Sequence, residues 1–140
     1  MKILIVDDEA LARDRLRELV IELYPETITI EASNSNDALD RISEHSPEII
    51  LLDINMPGMN GLELASHLLK LKLPPAIVFT TAHQAHALSA FDTNAVDYLL
   101  KPIRKERLRI AIERAATISQ SKLALLYSNT KVITARRHLS

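Results

Sequence analysis

Residues 49–61 read IILLDINMPGMNG, and the fold turns on this stretch. Four apolar residues, Ile49 to Leu52, follow one another with no polar alternation, the signature of a strand covered on both faces. The run stops on an acid, Asp53, and passes through a loop holding Pro57 and Gly58. From Gly61 the spacing becomes helical, with Leu64, Leu68 and Leu69 on one side. A buried strand with an acid at its carboxyl end, followed at once by a helix, is the unit from which the chain is built.

The unit recurs in both directions. Further strands are predicted near Ile3–Val6, Thr27–Ala32, Ile77–Thr80 and Val96–Leu100. The first helix carries Ala12, Leu16, Leu19, Val20 and Leu23 on one face, with Asp8 as its candidate cap. The second carries Ala38, Leu39 and Ile42 after Asn34–Asp37, a short fourth runs from about Gln84 to Asp92, and the fifth carries Leu108, Ala111, Ile112 and Ala115. Pro25, Pro47 and the pair Pro74–Pro75 fall between elements, where a residue without an N–H does least harm. Strands separated by helices cannot be hairpins, so the connections are crossovers and the sheet is parallel with helices on both faces. The expected fold is a doubly wound α/β domain with a five-stranded parallel sheet. Its strand order, 2-1-3-4-5, is taken by analogy with flavodoxin-like (βα)5 sheets and does not follow from the alternation itself.

The 140 residues suit one domain. The pattern weakens beyond about Ile118, so residues 1–118 are expected to form that domain. Residues 119–140 end on Arg136-Arg137-His138-Leu139-Ser140 in mid-pattern and read as a linker cut before a further domain. No apolar run approaches the roughly 18 residues of a membrane span, and Asp7 interrupts the place where a secretory signal would continue. The expected location is therefore cytoplasmic, away from membranes. The absence of cysteine excludes disulfides, thiol nucleophiles and thiolate zinc sites. The net charge of −1 conceals a division: residues 1–100 hold seven Lys and Arg against sixteen Asp and Glu, whereas residues 101–140 hold ten against two.

In doubly wound sheets ligands bind at the carboxyl ends of the strands. Asp7, Asp8 and Glu9 follow the first strand, Asp53 the third, Thr81 the fourth and Lys101 the fifth. Singly, each has a structural explanation: Asp8 or Thr81 as a helix cap, Asp53 as the start of a turn, Lys101 as a solvated lysine. Together they make an acid cluster, and clustered carboxylates stay ionised when a cation shares the site. Mg2+, which uses one or two carboxylates plus a phosphate and keeps several waters, suits Asp8 and Asp53 better than an all-protein calcium cage. Asp53 can then act as a nucleophile toward phosphorus, with Lys101 and Thr81 meeting the phosphoryl oxygens.

At this point four strings, ILIVDDE, LLDINMPGMNG, TTA at Thr80–Ala82 and DYLLKP at Asp97–Pro102, resemble the receiver domain of bacterial two-component response regulators. The resemblance covers about residues 1–118. It implies that Asp53 accepts a phosphoryl group from a sensor histidine kinase. It implies Mg2+ held by Asp8, Asp53 and the backbone carbonyl of Asn55, with Asp7 assisting through water. It further implies a switch pair of Thr81 and Tyr98, a cis Lys101–Pro102 bond, and a signalling phosphoacceptor in place of an enzyme with a separate substrate. The switched face would comprise the fourth helix, fifth strand and fifth helix, which would also serve a homodimer. Residues 87–108 and the closing RRHLS are similar to regulators whose output is a LytTR-type DNA-binding domain. That domain would be this chain's own C-terminal partner, and residues 1–140 alone would bind no nucleic acid. Asn55 and His83 stand at positions that vary in the family, and Ile103 follows Pro102 where some members carry Phe.

Other signals carry less. His83 and His86 lack a third metal ligand nearby, and His45, His67 and His138 are isolated. Phe79, Phe91 and Tyr98 suit core or switch packing better than base stacking. Arg104, Lys105, Arg107 and Arg109 suit a solvated or dimer-forming helix face. A magnesium-dependent phosphatase with an aspartate nucleophile needs an acid two residues on, where Asn55 stands. A flavin module needs phosphate-binding groups after the first strand, where Asp7, Asp8 and Glu9 would repel a phosphate.

Overall fold

The computed structural model describes residues 1–83 and 94–119. In chain order these form β1 (Lys2–Val6), α1 (Ala10–Leu23), β2 (Ile28–Ala32), α2 (Ser35–His45), β3 (Ile49–Asp53), α3 (Gly61–Leu68), β4 (Ala76–Thr81) and β5 (Asp97–Leu100). A last helix, α4, covers residues 105–119. The five strands make one sheet in the order β2-β1-β3-β4-β5, every pair parallel. The expected fold class and strand order are both found. The predicted fourth helix and the linker beyond Ser119 lie outside the described residues.

The central strands are buried on both faces, which is why they read as unbroken apolar runs. Ile3, Ile5, Ile49, Leu51 and Val78 point to one side, where Leu16 and Leu19 of α1 and Leu108 and Ile112 of α4 cover them. Leu4, Val6, Ile50, Leu52 and Phe79 point to the other, under Ala38 of α2 and Leu64 and Leu68 of α3. The period of two along each strand thus sorts one apolar sequence into two cores. Among the described residues no helix is long and apolar enough to cross a membrane.

Two details depart from the sequence reading. Asp8 does not cap α1: the helix begins at Ala10, so Glu9 occupies the cap position, and it makes no side-chain cap bond. Leu39 does not join the buried face of α2 and stays 37% exposed. Ala38 and Ile42, four residues apart, share the face that meets the sheet, and position 39 is turned about 100° away. The caps of the next two helices are better made. Asn34 accepts from Asp37 N at 2.8 Å, and Asn60 forms a reciprocal capping box with Glu63.

Candidate functional site

The sheet delivers its acids to one edge because β1 and β3 are neighbours that stop at nearly the same level. Their ladder ends at Val6 opposite Leu52. Asp7 and Asp8 follow Val6, and Asp53 closes β3. Carboxylate oxygens of Asp7, Asp8 and Asp53 all lie within 4.8 Å of one another.

Asp7 is fully buried. Its Oδ2 accepts from Lys101 Nζ at 2.8 Å and its Oδ1 from the Glu9 amide at 2.9 Å. Lys101 reaches in from the end of β5, after which the Lys101–Pro102 bond is cis. Its Nζ also lies 3.8 Å from Asp53 Oδ2. Burial pulls the Lys101 ammonium down, but the Asp7 hydrogen bond and the Asp53 and Asp7 charges outweigh it and hold the lysine above its ordinary range. Asp53 is 4% exposed, and its Oδ1 accepts from the Asn55 amide at 3.3 Å. Burial first, and the Asp7 carboxylate second, push its carboxyl up to about 6, against the opposing pull of Lys101 and the Asn55 amide. Three carboxylates and one ammonium leave an excess of hard oxygen donors in little space. That donor set fits a divalent cation such as Mg2+, and Asp8, the exposed member, leaves it open to solvent.

The loop from Asn55 to Asn60 is folded tightly against the end of β3. The Gly61 amide donates to the Ile54 carbonyl at 2.9 Å, and a Cβ at Gly61 would stand 2.2 Å from the Asp53 carbonyl oxygen. Gly58 takes φ +74°, and Ser35 Oγ ties the loop down by donating to the Met59 carbonyl at 2.7 Å. Asn55 reaches across to β4, where its Nδ2 donates to Thr81 Oγ1 at 3.2 Å. Thr81 Oγ1 also accepts from the His83 amide at 3.1 Å, so the hydroxyl keeps its own proton to donate. The Tyr98 ring packs against the core under α3, and its hydroxyl donates to the His83 carbonyl at 2.7 Å. Thr81 and Tyr98 therefore both end on the backbone of His83.

The structure brings together every residue that the sequence places at the site: Asp7, Asp8, Asp53, Asn55, Thr81 and Lys101, with Tyr98 at its margin. His86 lies outside the described residues. Two sets of contacts were missed. Arg13 Nη1 donates to the Asp7 carbonyl at 2.8 Å, and Arg13 Nε lies 3.4 Å from Glu31 Oε1. Their only trace in the sequence is a cation beside the buried face of the first helix. Asp97 accepts two bonds from Arg107, at 2.9 and 2.7 Å, with Arg114 at 3.3 Å. Burial raises the Asp97 carboxyl, but the Arg107 hydrogen bonds and the Tyr98 amide outweigh it and leave it below its usual range. The basic face of α4 is thus engaged with acids of its own chain: Lys105 pairs with Glu22, and Arg109 with Glu106 and Glu113.

Known proteins agree with this geometry. The family described as the response regulator receiver domain matches residues 3–113. The positive alginate biosynthesis regulatory protein of Pseudomonas aeruginosa is 46% identical over 127 residues, covering 90% of this chain and 51% of that protein. The sensory transduction protein LytT of Bacillus subtilis is 40% identical over 120 residues, covering 86% and 50%. The chain spans about half the length of these curated relatives. Among solved structures, the response regulatory domain of protein mrkE from Klebsiella pneumoniae superposes with a TM-score of 0.76 at 34% identity, covering 86% of this chain and 99% of that one. With the match running from the first strand into the last helix, the chain belongs to the response regulator receiver domain family.

Proposed function

We propose that Asp53 takes a phosphoryl group from a sensor histidine kinase and that the modification switches a DNA-binding output domain. The observation that supports this most is Lys101. From 94 residues beyond Asp7 it places a fixed positive charge 3.8 Å from the one carboxylate that closes a central strand. An Asp53 oxygen attacks phosphorus, the P–N bond of a phosphohistidine breaks, and the electron pair leaves with the imidazole. Lys101 neutralises charge on the phosphoryl oxygens, and the Thr81 hydroxyl donates to one of them. Bound Mg2+ would supply further charge neutralisation, held by Asp8, Asp53 and the Asn55 backbone carbonyl, with Asp7 acting through water. The chain thereby assists its own modification and its own dephosphorylation and turns over no separate substrate.

Turning Thr81 toward the phosphoryl group gives up its bond to the His83 amide. Tyr98, held by the carbonyl of the same residue, is then released to change rotamer. The response would pass to the face made by the predicted fourth helix, β5 and α4, which would also serve a homodimer. Half-length coverage of LytT and of the alginate regulator supports a LytTR-type DNA-binding domain joined through residues 119–140. In this reading the whole protein acts in the cytoplasm, and residues 1–140 alone read no DNA sequence.

Intact-mass measurement after treatment with acetyl phosphate and Mg2+ tests the chemistry. The wild-type chain should gain one phosphoryl group, and Asp53→Ala should gain none. A modified Asp53→Ala protein would overturn the assignment.

A further inference from the structure

Arg13 lies beside the acid cluster, and its partners are not the clustered carboxylates. Its guanidinium holds the backbone carbonyl of Asp7 at 2.8 Å and faces Glu31 on the edge strand at 3.4 Å. Its side chain is only 19% exposed.

The position of that carbonyl gives the contact its meaning. The ladders that fix β1 against β2 and β3 both end at Val6. Past that point the Asp7 amide still donates to the Ala32 carbonyl at 3.2 Å, and the Asp7 side chain is tied to Lys101 and to the Glu9 amide. The Asp7 carbonyl itself belongs to the planar peptide that leads to Asp8. Whatever orients it sets the direction in which the Asp8 side chain leaves the backbone. Asp8 is exposed.

We infer that Arg13 is a positioning residue of the cation site, holding the Asp7–Asp8 peptide so that the Asp8 carboxylate stays beside Asp53. Glu31 in turn keeps the guanidinium turned toward the sheet. The inference rests on the reading that Asp8 and Asp53 bind a divalent cation, and it adds a residue that touches neither the cation nor the phosphoryl group.

Titration of the 140-residue protein with MgCl2, followed by backbone amide NMR shifts, provides the test. Arg13→Met keeps the apolar stem and removes the donors. It should weaken Mg2+ binding about tenfold, the low end of what outer-shell partners contribute. Arg13→Lys, which retains the charge, should fall between, and it carries the comparison should Arg13→Met not fold. Glu31→Gln, which loses only a partly exposed ion pair, should stay within about twofold of wild type. The rate of Asp53 modification by acetyl phosphate should return to the wild-type value in Arg13→Met at saturating Mg2+. Wild-type Mg2+ affinity in both Arg13 variants would overturn the inference, as would a rate loss that saturating Mg2+ does not restore. A wild-type protein that takes up no Mg2+ would instead overturn the reading of Asp8 and Asp53.

Discussion

β1 and β3 change character within one residue. Ile3 to Val6 and Ile49 to Leu52 are 0% exposed, and the residues that follow, Asp7 at 0% and Asp53 at 4%, are as deeply covered. Burial depth therefore does not separate scaffold from chemistry in this sheet. Inside the strands, removal from water stabilises the fold in proportion to apolar area. One step further the same removal acts on carboxylates, raising Asp53 and demanding Lys101 as a countercharge. The molecule gives up stability at the strand ends and recovers it in the strand interiors.

The largest effect expected from this contrast lies in the interior. Leu51→Ala should cost about 3–4 kcal/mol by urea unfolding, the middle of the roughly 2–5 kcal/mol range for a buried leucine, while the folded fraction keeps its capacity for modification at Asp53. A cost near zero would mean that the two regions do not differ as described. Next, and opposite in sign, is Asp53→Asn. The Asp53 carboxyl sits at about 6 in the fold, whereas an aspartate in an unfolded chain sits near 3.9, so the folded state binds the proton more tightly. The ionised carboxylate therefore weakens the fold fully above about pH 6, and this penalty fades as the pH falls toward 4. Without divalent cations, Asp53→Asn should gain about 3 kcal/mol at pH 7.5 and almost nothing at pH 4. Equal stability of variant and wild type in thermal unfolding at pH 7.5 would break the comparison. The smallest effect should come from Thr81→Val, which keeps the shape and removes the hydroxyl that the exposed Asn55 and His83 donors use. Its stability cost should be about 1 kcal/mol. Its consequence should be functional: beryllofluoride, standing in for the phosphoryl group, should shift the Tyr98 side-chain NMR signals in wild type and leave them unmoved in Thr81→Val.

The same boundary governs what the sequence reveals. β1, β3 and β4 are legible because strands covered on both faces permit only apolar residues, and the acids stand out by ending those runs. Edge strands are harder to read: Ile28 of β2 is 55% exposed and Leu100 of β5 45%, so burial there is one-sided. The side chain of Asp8 suits a cap, but capping requires adjacency to the first helical residue, and the chain takes one more step before Ala10. Asn55 entered the reading through its backbone carbonyl, and its side-chain bond to Thr81 depends on how closely the loop after β3 approaches β4. The Arg13 contact and the close approach at Gly61 are opaque for a related reason. One matters through the lie of α1 across the ends of β1 and β2, the other through the start of α3 against the Asp53 carbonyl. Both are distances between elements, which periodicity does not encode.

The 94-residue separation between Asp7 and its lysine has a consequence for biosynthesis. Translation at 5–20 residues per second leaves about 5–20 s between the appearance of the first acid and that of Lys101 on the ribosome. Through that interval the nascent chain holds the acids without their countercharge. β5, the strand that carries the lysine in, is also the last to be made, so the site can assemble only after the rest of the sheet has been synthesised. A chain released before Lys101 would carry Asp53 and Asp7 without the ammonium that faces them both in the finished fold.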